Sequence, residues 1–76
     1  MEPGQAFGQV LRRFRKDAGL TQEQLSFEAE VERNFVSLIE RGINQPTIRV
    51  LFKLAKALRT TPAKMLMEVE AKLDKE

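Results

Sequence analysis

Apolar residues recur at helical spacing along the whole chain and nowhere alternate as a half-buried strand would require. Phe7, Val10, Leu11, Phe14 and Ala18 step along one helix face, and Gly19 supplies the left-handed residue that commonly ends a helix. Thr21 then caps a short second helix from Gln22 to about Glu28, with Gln24 completing a capping-box pattern and Leu25 and Ala29 facing inward. A tight turn at Ala29-Glu30-Val31 leads into a third helix from about Glu32 to Arg41. Val36 and Ile39 face inward on it, Phe35 lies at the boundary, and Gly42 stops it. Pro46 keeps the stretch Ile43-Asn44-Gln45-Pro46 out of helix. Thr47 caps a fourth helix whose stripe is Ile48, Leu51, Leu54, Ala55 and Leu58. Thr61 and Pro62 open a fifth, with Met65, Leu66, Val69 and Leu73 on its apolar face. Short helices with short connections predict an all-α fold, a compact five-helix bundle.

Seventy-six residues suffice for a single domain, 1–76, with a core at about 5–66 and a C-terminal helix at about 62–73 available for dimerisation. A chain of this size buries only about 60% of its unfolded surface, so association would add useful burial. There is no cysteine and no histidine, which excludes disulfides and thiolate or imidazole metal sites; neither a metal nor a cofactor is expected. Enzymatic chemistry is also unsupported. Tyrosine is absent too, and the only serines, Ser26 and Ser37, lie inside the paired helices. No apolar run approaches a membrane span and the N-terminus lacks the pattern of a signal peptide, so a cytoplasmic location is expected.

The formal net charge is only +2, but its distribution is uneven. Arg12, Arg13, Arg15 and Lys16 cluster in the first helix. Arg41, Arg49, Lys53, Lys56 and Arg59 run through residues 41 to 59 without an acid. Glu23, Glu28, Glu30, Glu32 and Glu40 crowd the stretch between. Such blocks are ordinary on solvated helix faces and need a motif to give them meaning.

That motif is the segment from Thr21 to Gly42. Two short helices joined by a tight turn cross steeply; Ser26 and Ala29 permit close approach, while Leu25, Val31, Val36 and Ile39 seal the angle. Such a pair can hold its second helix out as a probe for the DNA major groove, although any helical hairpin in a small bundle has the same spacing. The segment resembles the helix-turn-helix of the phage-repressor and Cro type, the Xre family. The likeness spans about residues 7–66 and includes Thr21-Gln22, Leu25, Ala29, Val31, Val36-Ser37, Ile39-Glu40-Arg41-Gly42, Pro46 and the run Leu54-Ala55-Lys56-Ala57-Leu58. The Glu32-Arg33 pair and the short chain are similar, within that family, to the stand-alone controller proteins of restriction–modification systems. Two positions depart from the family pattern. Glu30 in the turn and Arg59 after the fourth helix stand where the family favours glycine.

The resemblance implies base contacts from the start of the third helix: Glu32, Arg33, Asn34 and, one turn on, Ser37 and Leu38. The residue types suit that task, since arginine pairs with guanine, asparagine with adenine, and glutamate accepts from cytosine. Other roles stay open at this point. Arg33 could hold a phosphate or pair with Glu32, Asn34 could simply face solvent, Glu32 could serve as a helix cap, and Leu38 could pack inward. Gln22, at a helix N-terminus, is expected to meet a phosphate. Arg41, Asn44 and Gln45 would line the DNA backbone, with Arg12 and Arg13 as further phosphate candidates. Arg15 and Glu40 match a family ion pair between the first and third helices. Phe52, Met65, Val69 and Leu73 exceed what so small a monomer readily covers and are expected to form a two-fold dimer interface. The expected partners are therefore double-stranded DNA, at a near-palindromic operator, and a second copy of the chain; no membrane or small-molecule partner is implied. The competing reading is an antitoxin or other protein-interaction module on the same fold.

Overall fold

The computed structural model describes residues 1–75 and contains helices α1 (Pro3–Asp17), α2 (Gln22–Ala29), α3 (Arg33–Glu40), α4 (Ile48–Ala57) and α5 (Pro62–Asp74). The five-helix, all-α expectation holds. Local chemistry explains where each helix begins. Thr21 Oγ1 accepts from Gln24 N–H at 3.0 Å while Thr21 N–H donates to Gln24 Oε1 at 2.9 Å, the reciprocal capping box of α2. Thr47 and Thr61 accept from Val50 N–H and Lys64 N–H at 3.2 and 3.1 Å, and Pro62 stands at the first position of α5. Helix α1 starts earlier than its apolar stripe suggests. Pro3 opens it, with its preset φ matched to the first turn.

The core is drawn from every helix: Ala6, Phe7, Val10 and Leu11 from α1, Leu25 and Ala29 from α2, Val36 and Ile39 from α3, Leu51, Leu54 and Ala55 from α4, and Met65 and Val69 from α5. Leu58, just past α4, completes it. Three assignments of the apolar pattern need correction. Ala18 lies beyond the end of α1 and is exposed, Ile48 stands in the first turn of α4 with 71% of its surface open, and Leu66 is 43% exposed. Each sits at a helix end or on the flank of its stripe, where spacing alone does not fix which side is covered.

Helices α1 and α3 cross so closely that Gly8 is required between them. A Cβ there would collide with the carbonyl oxygen of Ile39 and lie 2.7 Å from that of Glu40. This contact fixes the axis of α3 against α1. The turn after α2 and the residue after α4 both have left-handed backbone, and both carry side chains: Glu30 and Arg59 each have φ 57°. The two departures from glycine are therefore strained, at roughly 1–2 kcal/mol each for an L-residue in this conformation.

Candidate nucleic-acid interface

The position of α3 is set from its C-terminal end. Arg15 on α1 donates from Nε to Glu40 Oε2 at 2.6 Å and from Nη2 to Glu40 Oε1 at 3.0 Å, a bidentate pair. Its Nη1 donates to the Leu20 carbonyl at 2.9 Å, and Gln22 Nε2 on α2 adds a bond to Glu40 Oε1 at 3.0 Å. One carboxylate thus ties α1, α2 and α3 together. The side chains of Arg15 and Glu40 are 10% and 3% exposed, so the pair is withdrawn from solvent and from any polyanion. The hydrogen bond to Glu40 raises the pKa of Arg15 above its already high ordinary value, outweighing the opposing effect of burial.

With its far end fixed, α3 presents its N-terminus outward. Glu32, Arg33 and Asn34 are exposed, and Ser37 and Leu38 are half-buried. Glu32 precedes the first turn with extended backbone, but its side chain makes no capping bond, so the capping role is not realised. Two shallow depressions flank this end of the helix. One, of about 340 Å³, is lined by Glu32, Asn34, Phe35 and Leu38; the other, of about 300 Å³, by Gln22, Arg33, Asn34 and Ser37. The fold therefore brings all five base-contact candidates and Gln22 to one continuous surface. The Phe35 ring is half-buried against the core at its edge.

The phosphate candidates divide. Gln22 stands at the first position of α2 beside the tip of α3, with its amide nitrogen already bonded to Glu40. Arg41 ends α3 and is exposed, and the loop that follows is tied back to the helix, Ile43 N–H donating to the Leu38 carbonyl at 3.0 Å. Gln45 is exposed and leans on Gly4 at the start of α1, while Asn44 is half-buried. Arg12 is exposed and free of described partners. Arg13 is exposed; its guanidinium pairs with Glu68 on α5 and lies 5.0 Å from the Phe14 ring centre, a surface contact between α1 and α5.

The acidic stretch that would oppose a phosphate backbone is redirected in part. Glu40 is neutralised by Arg15, and Glu28 and Glu30 border a cleft shared with Lys53, Lys56 and Arg59. Glu23 stays exposed in the first turn of α2, and Glu32 stands at the tip of α3, where a carboxylate can accept from a base amino group. The dimer residues need revision too. Met65 is fully buried and Val69 is 5% exposed, both within the chain's own core, and Leu73 is half-buried against it. Only Phe52, 58% exposed, remains from that set; Leu66 and Met67 on α5 are the apolar side chains that α5 leaves open. The spacing of α5 did not reveal this, because its buried stripe and its open apolar flank adjoin.

Among the described residues no group of acids could hold a metal ion, and no helix is long and apolar enough to cross a membrane. Residues 11–65 match the sequence profile of a family described as helix-turn-helix. Control protein C.BamHI of Bacillus amyloliquefaciens is 36% identical over 61 residues, which make up 79% of this chain and 75% of that one. Among solved structures, the clp gene regulator ClgR from Corynebacterium glutamicum superposes with a TM-score of 0.93 at 28% identity, over 97% of this chain and 79% of that chain. The restriction–modification controller protein C.AhdI from Aeromonas hydrophila superposes with a TM-score of 0.80 at 37% identity, over 82% of this chain and 94% of that chain.

Proposed function

The chain belongs to the Xre-type helix-turn-helix family of DNA-binding transcription regulators, and from that premise we propose that it binds a near-palindromic double-stranded operator as a homodimer, with α3 in the major groove. One observation carries the reading: Glu32, Arg33 and Asn34 stand exposed at the outward end of a helix whose other end is locked by the Arg15–Glu40 pair. A rigid helix of this width, with a guanidinium and an amide at its tip, matches the donor and acceptor pattern of base edges in the major groove. Arg33 pairs with guanine, Asn34 with adenine, and Glu32 accepts from cytosine; Ser37 and Leu38 meet the next base pair, Leu38 against a thymine methyl.

Phosphates on either side are held by Gln22 and the α2 N-terminus, and by Arg41, Asn44, Gln45 and Arg12. Phe52, Leu66 and Met67 supply the apolar surface of the two-fold contact, which sets the two recognition helices about 34 Å apart, one turn of DNA. Similarity to C.BamHI and C.AhdI supports a small regulator of the controller kind. The test is selection of bound sites from a random duplex library, followed by a salt titration on the selected site. Paired half-sites one turn apart are expected, with affinity falling by about 0.9 log units per log unit of salt for each phosphate neutralised. No retained duplex even at low salt would replace this reading with the protein-interaction module.

A further inference from the structure

The chain holds its two strained side chains on a single cleft. Glu30 and Arg59, the non-glycine residues with left-handed backbone, both line a depression of about 550 Å³ between the C-terminal ends of α2 and α4. Its walls are of opposite sign. Glu28 and Glu30 stand on the α2 side; Lys53, Lys56 and Arg59 stand on the α4 side. Among the described residues no ion pair joins them, so at least four of these charges face solvent unmatched: Glu28, Glu30, Lys56 and Arg59 are exposed, and Lys53 is half-buried. Glycine would relieve the backbone at both strained positions, yet both carry a charge, of opposite sign, on the same rim. Strain retained with a functional side chain points from geometry to use.

The sign pattern selects the occupant. A nucleic acid drawn to the lysines would meet Glu28 and Glu30, and a basic peptide drawn to the glutamates would meet Lys53, Lys56 and Arg59. A surface bearing acids and bases in mirrored order satisfies both walls. A second copy of this chain, turned by a two-fold axis, presents that order: its acidic wall meets the basic wall, and its basic wall meets the acidic one. We propose that this cleft is an electrostatic self-association surface joining two copies of the chain. It shares no residue with the apolar two-fold surface of Phe52, Leu66 and Met67, and it does not depend on the DNA-binding reading. It would join dimers where that surface builds dimers.

The two contacts respond to salt in opposite ways. Added salt screens charge pairs at the surface and leaves apolar association intact or strengthened. Sedimentation equilibrium of the full chain at low and high salt is therefore expected to show an association that salt removes. Two charge-reversed proteins sharpen the test: E28K/E30K makes both walls positive, and K53E/K56E makes both negative. Each alone should lose the salt-sensitive association by about tenfold or more, because like charges then face each other. Mixed, the two should associate again, since every wall of one meets an opposite wall of the other. A control mixture pairs fluorescently labelled E28K/E30K with K64E/K75E, which carries the same added charge on and just beyond α5 but keeps its own cleft; followed by its label alone, E28K/E30K should stay unassociated there. Circular dichroism melts check that each variant is folded. A wild-type mass unchanged by salt, or reversed proteins that are folded yet fail to associate when mixed, would overturn the proposal. So would labelled E28K/E30K that associates with K64E/K75E as well as with K53E/K56E.

Discussion

At Arg15 a single guanidinium serves three segments of the chain: Glu40 at the end of α3, the Leu20 carbonyl before α2, and, through the shared carboxylate, Gln22. With the two side chains 10% and 3% exposed, removing either leaves a partly desolvated charge without its partner. Such a loss costs about 3 kcal/mol, well above the 0–1 kcal/mol of an exposed pair. Arg15→Ala and Glu40→Ala should each lower the melting temperature by more than about 10 °C in a domain of this size, and the double variant should lose less than the sum. Melts within about 2 °C of wild type would show that the pair does not hold α3. The pairing was legible in the sequence only through resemblance, since nothing in the spacing of Arg15 and Glu40 brings them together. The bond from Gln22 to Glu40 left no signal at all, because an amide on a first helical turn has many possible partners. The Arg13 pair left no signal for a related reason: a basic residue one position from Arg12 points some 100° away around the helix, and here that direction leads to Glu68.

Individual helices are legible from their N-terminal ends inward. Thr21, Thr47 and Thr61 each accept the expected backbone bond, so hydroxyl caps located the starts of α2, α4 and α5. Stops that lack a side-chain signal were harder, and the strained turns show why. At Glu30 and Arg59 the family pattern, not the residue type, marked the left-handed position, and both do take φ 57°. Replacing either with glycine removes the strain of about 1–2 kcal/mol and returns part of it as entropy of the unfolded chain. Glu30→Gly and Arg59→Gly are thus each expected to stabilise the fold by about 0.5–1 kcal/mol, raising the melting temperature by a few degrees. A decrease in both would mean that the side chains stabilise the monomer by contacts stronger than the strain. Gly8 passed unnoticed in the sequence, because a glycine inside a helical pattern gives no hint of the Ile39 and Glu40 carbonyls that press against it.

At the scale of the whole molecule, a core assembled from all five helices still leaves several large apolar side chains open, Phe27 on α2 the most exposed and others on α4 and α5. Phe52, Leu66 and Met67 are 58%, 43% and 66% exposed. Sedimentation in high salt should give a mass that rises with concentration towards two chains. Phe52→Asp combined with Leu66→Asp should hold it at one chain without lowering the melting temperature, since neither side chain belongs to the core. A mass of one chain for the wild type at every concentration would remove the dimer. Met65 and Val69, expected from the sequence to serve an interface, are instead covered by the bundle itself; the spacing of α5 does not separate its buried stripe from its open apolar flank.

The central claim is that the tip of α3 reads base edges in the major groove, and methylation interference on the selected operator addresses it most directly. A methyl group at guanine N7 blocks the major-groove acceptor that Arg33 uses, whereas one at adenine N3 lies in the minor groove. Guanine N7 methylation should abolish wild-type binding at one guanine in each half-site, and adenine N3 methylation there should not. Arg33→Ala should bind about 1–3 kcal/mol more weakly, lose its preference for that guanine, and become indifferent to its methylation. Interference confined to the minor groove, or an Arg33→Ala protein weakened equally on every sequence and still sensitive to the same methyl group, would contradict the account.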